Sequence, residues 1–209
     1  MTVFSFDKSE KKLIENAIRQ GHKFWSDDSL DALKRRIKDH LRVKQDECCC
    51  YCSRNTDDEF NMVLDIEHII PKSKLVSEMF EMMNLAVSCK RCNMRIKRED
   101  ISFIDSFEKL KKEGAYYASE NYKFIHPNLD EWDDKLMYIV AQINRKKIVY
   151  YEVVNKNKKG TFAKKYFELD KIQVNTFDEA QNAGIRKEPS DPNVARKYLK
   201  LVTNLLGLK

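Results

Sequence analysis

No stretch of the 209 residues approaches the roughly 18 consecutive apolar positions that a membrane-spanning helix needs, and Met1 to Lys12 lacks the apolar run of a secretory signal. The expectation is a cytoplasmic protein without a membrane partner. No internal repeat and no low-complexity linker is present, so neither a solenoid array nor a string of tethered modules is indicated. Charged residues make up 34% of the chain and hydrophobic residues 42%, a balance that excludes a disordered chain as well as a membrane one. The length allows one domain or two small ones, each with a core of its own.

The charge is uneven. Residues 141–165 hold eight basic side chains (Arg145, Lys146, Lys147, Lys156, Lys158, Lys159, Lys164 and Lys165) against one acid, Glu152, a net of +7 in a chain whose total is +6. The remainder is therefore close to neutral, and the basic character is local, as on a surface that binds a polyanion. The plainer alternative is an ordinary solvated lysine face.

Six cysteines in a reducing compartment point to metal ligands or buried thiols rather than disulfides. Four of them form two knuckles, Cys49-x-x-Cys52 and Cys89-x-x-Cys92. Each knuckle lets two thiolates grip one tetrahedral Zn²⁺, and the pair completes a closed structural site. Cys48 and Cys50 flank the first knuckle outside that spacing.

Apolar residues recur every three or four positions over 8–20 (Leu13, Ile14, Ala17, Ile18) and over 29–44 (Leu30, Leu33, Ile37, Leu41), which predicts two amphipathic helices. Residues 62–70 read as a strand stopped by Pro71, and 84–97 as the second knuckle running into a basic helix. A further helix is expected over 106–123, strands over 136–143 and 147–154 with a turn over 155–160, and a last helix over 192–206 that begins at a proline. The whole is an α+β protein: an N-terminal helical segment (1–44), a central module (45–105) and a C-terminal mixed region with a basic hairpin (106–209).

The chemistry lies between the knuckles, in Asp65-Ile66-Glu67-His68-Ile69-Ile70-Pro71, then Asn84, then Cys92-Asn93. Phosphodiester hydrolysis needs a base to activate water and a divalent cation to neutralise the phosphorane. A histidine titrates near neutral pH and suits the first task; Glu67 and Asn93 offer the hard oxygens that Mg²⁺ or Mn²⁺ prefers. His126, just before Pro127, reads as a turn histidine.

The order Cys-x-x-Cys, Asp-x-Glu-His-x-x-Pro, Asn, Cys-x-x-Cys-Asn resembles the HNH endonucleases of the ββα-metal, four-cysteine zinc subgroup, over about Arg42 to Asp100. The resemblance implies a metal-dependent endonuclease acting on DNA, with RNA as the second choice. It makes His68 the general base and Asn84 the residue that ties the base-bearing loop to the helix. Glu67 and Asn93, with Asp65 assisting, would hold the catalytic cation. Period-two alternation puts Asp65 on the face of Glu67 and sends His68 to the other, so the strand must bend or end at His68. Two departures stand out: the third motif position is Asn93 rather than histidine, and the lysine often found three residues later is replaced by Ile96, with Lys97 following. Outside the motif, a small chain with added helical and basic segments resembles the nuclease subunits of bacterial anti-phage systems, including the Septu type that pairs with an ATPase. The competing expectation is a non-catalytic, zinc-stabilised module that binds nucleic acid or a protein partner. It explains the cysteines and the basic tract, but not Glu67, His68 and Asn93 at nuclease spacing.

Overall fold

A computed structural model of the chain describes residues 4–57, 63–175 and Arg196. The helix expected over 192–206 lies outside these residues except for Arg196. The chain divides into two compact units, one of Met1–Met137 with Val153–Leu169, the other of Tyr138–Glu152 with Asp170–Lys209.

In the first unit, helix α1 (Lys8–Gln20) starts where Asp7 accepts hydrogen bonds from the Ser9 and Glu10 amides and Glu10 reaches back to the Asp7 amide, a complete capping box. It stops at Gly21, whose φ of 91° a β-carbon would penalise. Helix α2 (Asp31–Lys44) buries Leu33, Ile37 and Leu41 on one face and packs that stripe on the two strands that follow. These are β1 (Leu64–His68) and β2 (Leu85–Cys89), antiparallel, with Asp65 opposite Ser88, Glu67 opposite Ala86 and His68 opposite Leu85. A π-helical segment (Arg91–Lys97) comes directly after β2, so the order is strand, strand, helix. The α+β expectation holds, with a ββα unit at its centre.

The helix expected over 106–123 is shorter than expected. Helix α3 covers Phe107–Glu113 and ends at Gly114, which takes the left-handed conformation (φ 64°) that closes a helix. The turn expected over 155–160 also gives way early: helix α4 (Lys158–Tyr166) begins at Asn157, whose side chain caps the Gly160 amide. A β-carbon on Gly160 would lie 2.1 Å from the Lys135 carbonyl oxygen, so only glycine lets this helix pack there. Around it Tyr51 stacks on Phe167 and Phe103 on Phe124, with ring centroids 4.3 and 4.2 Å apart.

The described residues of the second unit lie largely in a three-stranded sheet in which β3 (Leu136–Ile143) and β4 (Lys146–Val153) form a hairpin and β5 (Val174–Asn175) pairs antiparallel with β4. Tyr138 stacks on Tyr151 within it. The basic tract is therefore divided: Arg145, Lys146 and Lys147 belong to the hairpin, whereas Lys156 to Lys165 belong to the other unit.

Candidate active site and metal centre

Backbone pairing brings the two cysteine knuckles together. The first sits in a tight loop closed by a bridge between Cys48 and Asn55, and the Cys50 amide donates to the Val87 carbonyl of β2. Gln45 fastens the same junction, because its side-chain amide donates to the Cys48 and Val87 carbonyls and its oxygen accepts from the Val87 amide. The second knuckle spans the end of β2 and the first turn of the π helix. The four Sγ atoms of Cys49, Cys52, Cys89 and Cys92 all lie within 4.8 Å of one another, and all four residues are buried. Tetrahedral zinc with bonds of about 2.3 Å separates its sulfurs by about 3.8 Å, and Cys52 and Cys89 stand 3.9 Å apart. Burial alone would raise the Cys49 thiol, yet hydrogen bonds from Cys50, Cys52, Cys89 and Cys92 outweigh it and hold Cys49 well below the usual thiol range. Four convergent thiols with one already favoured as thiolate fit a closed Zn²⁺ site. Cys48 and Cys50 stand outside the cluster.

Beside this brace lies a cavity of about 90 Å³ lined by Glu67, His68, Asn93 and six further residues. Strand β1 ends at His68, and both Glu67 and His68 face this cavity, as the proline stop required. His68 is buried; its ring packs edge-on against Trp25 (4.5 Å), and its Nε2 lies 3.0 Å from the Met79 carbonyl. A carbonyl only accepts, so Nε2 carries the proton and Nδ1 the lone pair. Burial, aided by the charge of Lys72, pushes the imidazole pKa down to about 3, and His68 is neutral at physiological pH.

Asn84 is buried and its side chain is fully used. Its oxygen accepts from the Ile70 amide at 2.7 Å, and its nitrogen donates to the Ile70 and Glu78 carbonyls, both at 3.1 Å. It thus ties the segment just after His68 to the 3₁₀ turn at Val76–Glu78, rather than to the helix after β2. The helix is tied to the strand by Lys97 instead. That side chain is 1% exposed, donates to the His68 carbonyl at 3.0 Å and forms an ion pair with Glu67 at 2.6 Å; the Tyr51 hydroxyl donates to the same carboxylate at 3.1 Å. Burial raises the Glu67 pKa, and Lys97 and Tyr51 offset that only in part.

Lys97 turns inward because the segment is π rather than α. The Arg98 amide donates to the Asn93 carbonyl at 2.7 Å, five residues back. Such a turn accommodates one residue more than an α turn, and so Lys97 rather than Ile96 is buried. The side chain of Asn93 forms no hydrogen bond among the described residues and stays available at the cavity wall. Asp65 is not brought into the cavity; its charge is felt by Lys38 on α2, where it counters the lowering that burial imposes on that lysine. His126 is buried, with Nδ1 accepting from the Asn128 amide, as befits a turn histidine.

Residues 49–99 match the HNH endonuclease family. They contain both knuckles, β1, β2 and the π helix, so the match coincides with the ββα unit and its cavity. Among curated proteins, the chain is 31% identical over 84 residues to the Septu protein PtuB of Bacillus thuringiensis. That similarity covers 40% of this chain and 30% of the relative, so the chain spans less than a third of the relative's own length. Lys97 and Tyr51 within the matched residues, and Trp25 and Gln45 outside them, have roles that no motif announced. The offset of Lys97 from the family's usual lysine was the single local signal among them.

Proposed function

We propose that the protein is a metal-dependent endonuclease that hydrolyses phosphodiester bonds in DNA, with RNA as the second choice. The observation that carries this is the single small cavity shared by Glu67, His68 and Asn93 on a ββα unit braced by four convergent thiols. Glu67 and Asn93 would hold the catalytic Mg²⁺ or Mn²⁺, which when bound supplies charge neutralisation for the phosphorane and the leaving oxygen. Nδ1 of His68 takes the proton from the attacking water. The Met79 carbonyl fixes the tautomer, and Trp25 holds the plane of the ring. An imidazole held at about pKa 3 is always in its basic form but binds a proton weakly; an anionic phosphate entering the cavity raises that affinity when it is needed. Asn84 positions the residues just after the base, and Lys97 locks the helix bearing Asn93 against the strand bearing His68.

The resemblance to Septu-type nuclease subunits supports a role as an effector in anti-phage defence with an ATPase as protein partner. A second reading, a zinc-stabilised binding module without catalysis, is favoured by one observation: the Glu67 carboxylate is already neutralised by Lys97. The two readings separate when purified protein is incubated with plasmid DNA and with RNA in Mg²⁺, Mn²⁺ or EDTA. The nuclease reading expects nicking that EDTA abolishes, and a loss of about 10² to 10⁴ in rate for His68→Ala with zinc content and helix content retained. Equal cleavage by His68→Ala would move the reading to the binding module.

A further inference from the structure

We propose that Lys72, Ser73 and Arg98 form a phosphate-binding subsite in the same cavity, holding the non-bridging oxygens of the scissile phosphodiester. The inference rests on the nuclease reading and adds the substrate-binding groups that the motif does not name.

Ser73 lines the cavity, and its hydroxyl is buried without a hydrogen-bond partner among the described residues. Buried polar atoms are nearly always paired, and an exception in a functional cavity marks a place that a ligand oxygen would fill. Lys72, the preceding residue, also lines the cavity. It is half-buried yet forms no hydrogen bond or ion pair among the described residues, and burial lowers its pKa while the charge of Glu99 supports it. Arg98 reaches the cavity from the far end of the π turn. Its Nε donates to the Met94 carbonyl at 3.1 Å, and its two terminal nitrogens form no hydrogen bond among the described residues. Its backbone sits at φ 51°, ψ −125°, a conformation that residues with a β-carbon avoid and that persists where the surroundings enforce it.

The charge balance agrees. Glu67 is compensated by Lys97, which leaves Lys72 and Arg98 against Glu99, and the cavity is net positive before any cation enters. A hydroxyl, an ammonium and a guanidinium together suit a tetrahedral oxyanion.

Two readouts test this on the full-length, zinc-loaded protein. The first is titration of the protein, without Mg²⁺ or Mn²⁺, with inorganic phosphate. The wild type should bind saturably, Ser73→Ala and Lys72→Met should each weaken binding several-fold, and Ser73→Thr, which keeps the hydroxyl, should bind as the wild type does. The second is cleavage. Ser73→Ala and Arg98→Gln should lower kcat on the order of 10- to 100-fold, the worth of one hydrogen bond to a charged oxygen. If both cleave as fast as the wild type while His68→Ala is inactive, the subsite is wrong and the nuclease stands. If the wild type cleaves nothing yet phosphate binding depends on Ser73, the subsite stands and the nuclease reading falls. Phosphate binding indifferent to Ser73, Lys72 and Arg98 overturns the subsite.

Discussion

Replacing Lys97 by methionine should be among the most damaging single changes in the HNH module, and a divalent cation should partly repair it. The ammonium is 1% exposed and lies 2.6 Å from a carboxylate that is 2% exposed. Removing one partner of such a pair leaves an uncompensated buried charge, at a cost of about 3–5 kcal/mol. The His68 carbonyl also loses its charged donor, which adds about 1 kcal/mol. A loss of about 4–6 kcal/mol is a large part of a typical folding free energy. With a urea m-value of about 2.5 kcal/mol/M, the midpoint in EDTA should fall by about 2 M. Replacing both members, Glu67→Gln with Lys97→Met, should recover most of that loss, because no charge is then stranded. The single variant should gain more stability from added Mn²⁺ than the wild type does, since Glu67 no longer has an internal cation to exchange. Chemical denaturation followed by tryptophan fluorescence, in EDTA and in Mn²⁺, measures all three. A Lys97→Met midpoint within about 0.3 M of wild type in EDTA would mean that the pair is not buried as described.

Cys89→Ser should remove the zinc, one ion per chain by elemental analysis, and with it a folding contribution on the order of 10 kcal/mol, so that circular dichroism reports a largely unfolded module. Lowering the pH should cost stability below about 6.5. Burial pushes both His68 and His126 down to about 3, so between those values the unfolded chain binds protons that the folded one refuses. The slope should reach about 1.4 kcal/mol per pH unit per histidine, read as urea midpoints between pH 7 and 5 with zinc saturating; a flat profile would refute it. Lys156, Lys158 and Lys165 are exposed, and their joint change to Glu should flatten the slope of log affinity against log salt on duplex DNA by about 2.7 if each contacts a phosphate. Lys159→Glu should destabilise the fold instead, because its ammonium is bonded to Ser119 and, at 2.7 Å, to Asp130.

Lys159 illustrates where reading the chain alone fell short. In sequence it is one of eight cations in a tract that looks uniformly basic; in the fold it is an internal tie, and the tract is divided between two units. The helix expected over 106–123 stops short for a local reason instead: Gly114 in the left-handed conformation closes it after Glu113.

What the sequence determined by itself is whatever depends on short separations. The two knuckles follow from Cys-x-x-Cys geometry, the start of α1 from Asp7 and Glu10, and the end of β1 from Pro71. Tertiary structure alone decided which charges would lose water. Glu67 and Lys97 are thirty positions apart and meet only because β1, β2 and the π helix fold back on one another, and that meeting converts a motif carboxylate into half of an internal ion pair. The same closure leaves the Ser73 hydroxyl without a partner among the described residues and lets the Asp65 charge act on Lys38. Desolvation is a property of the assembled surroundings rather than of a residue and its chain neighbours, and it is desolvation that sets what Glu67, His68, Lys72 and Ser73 can do.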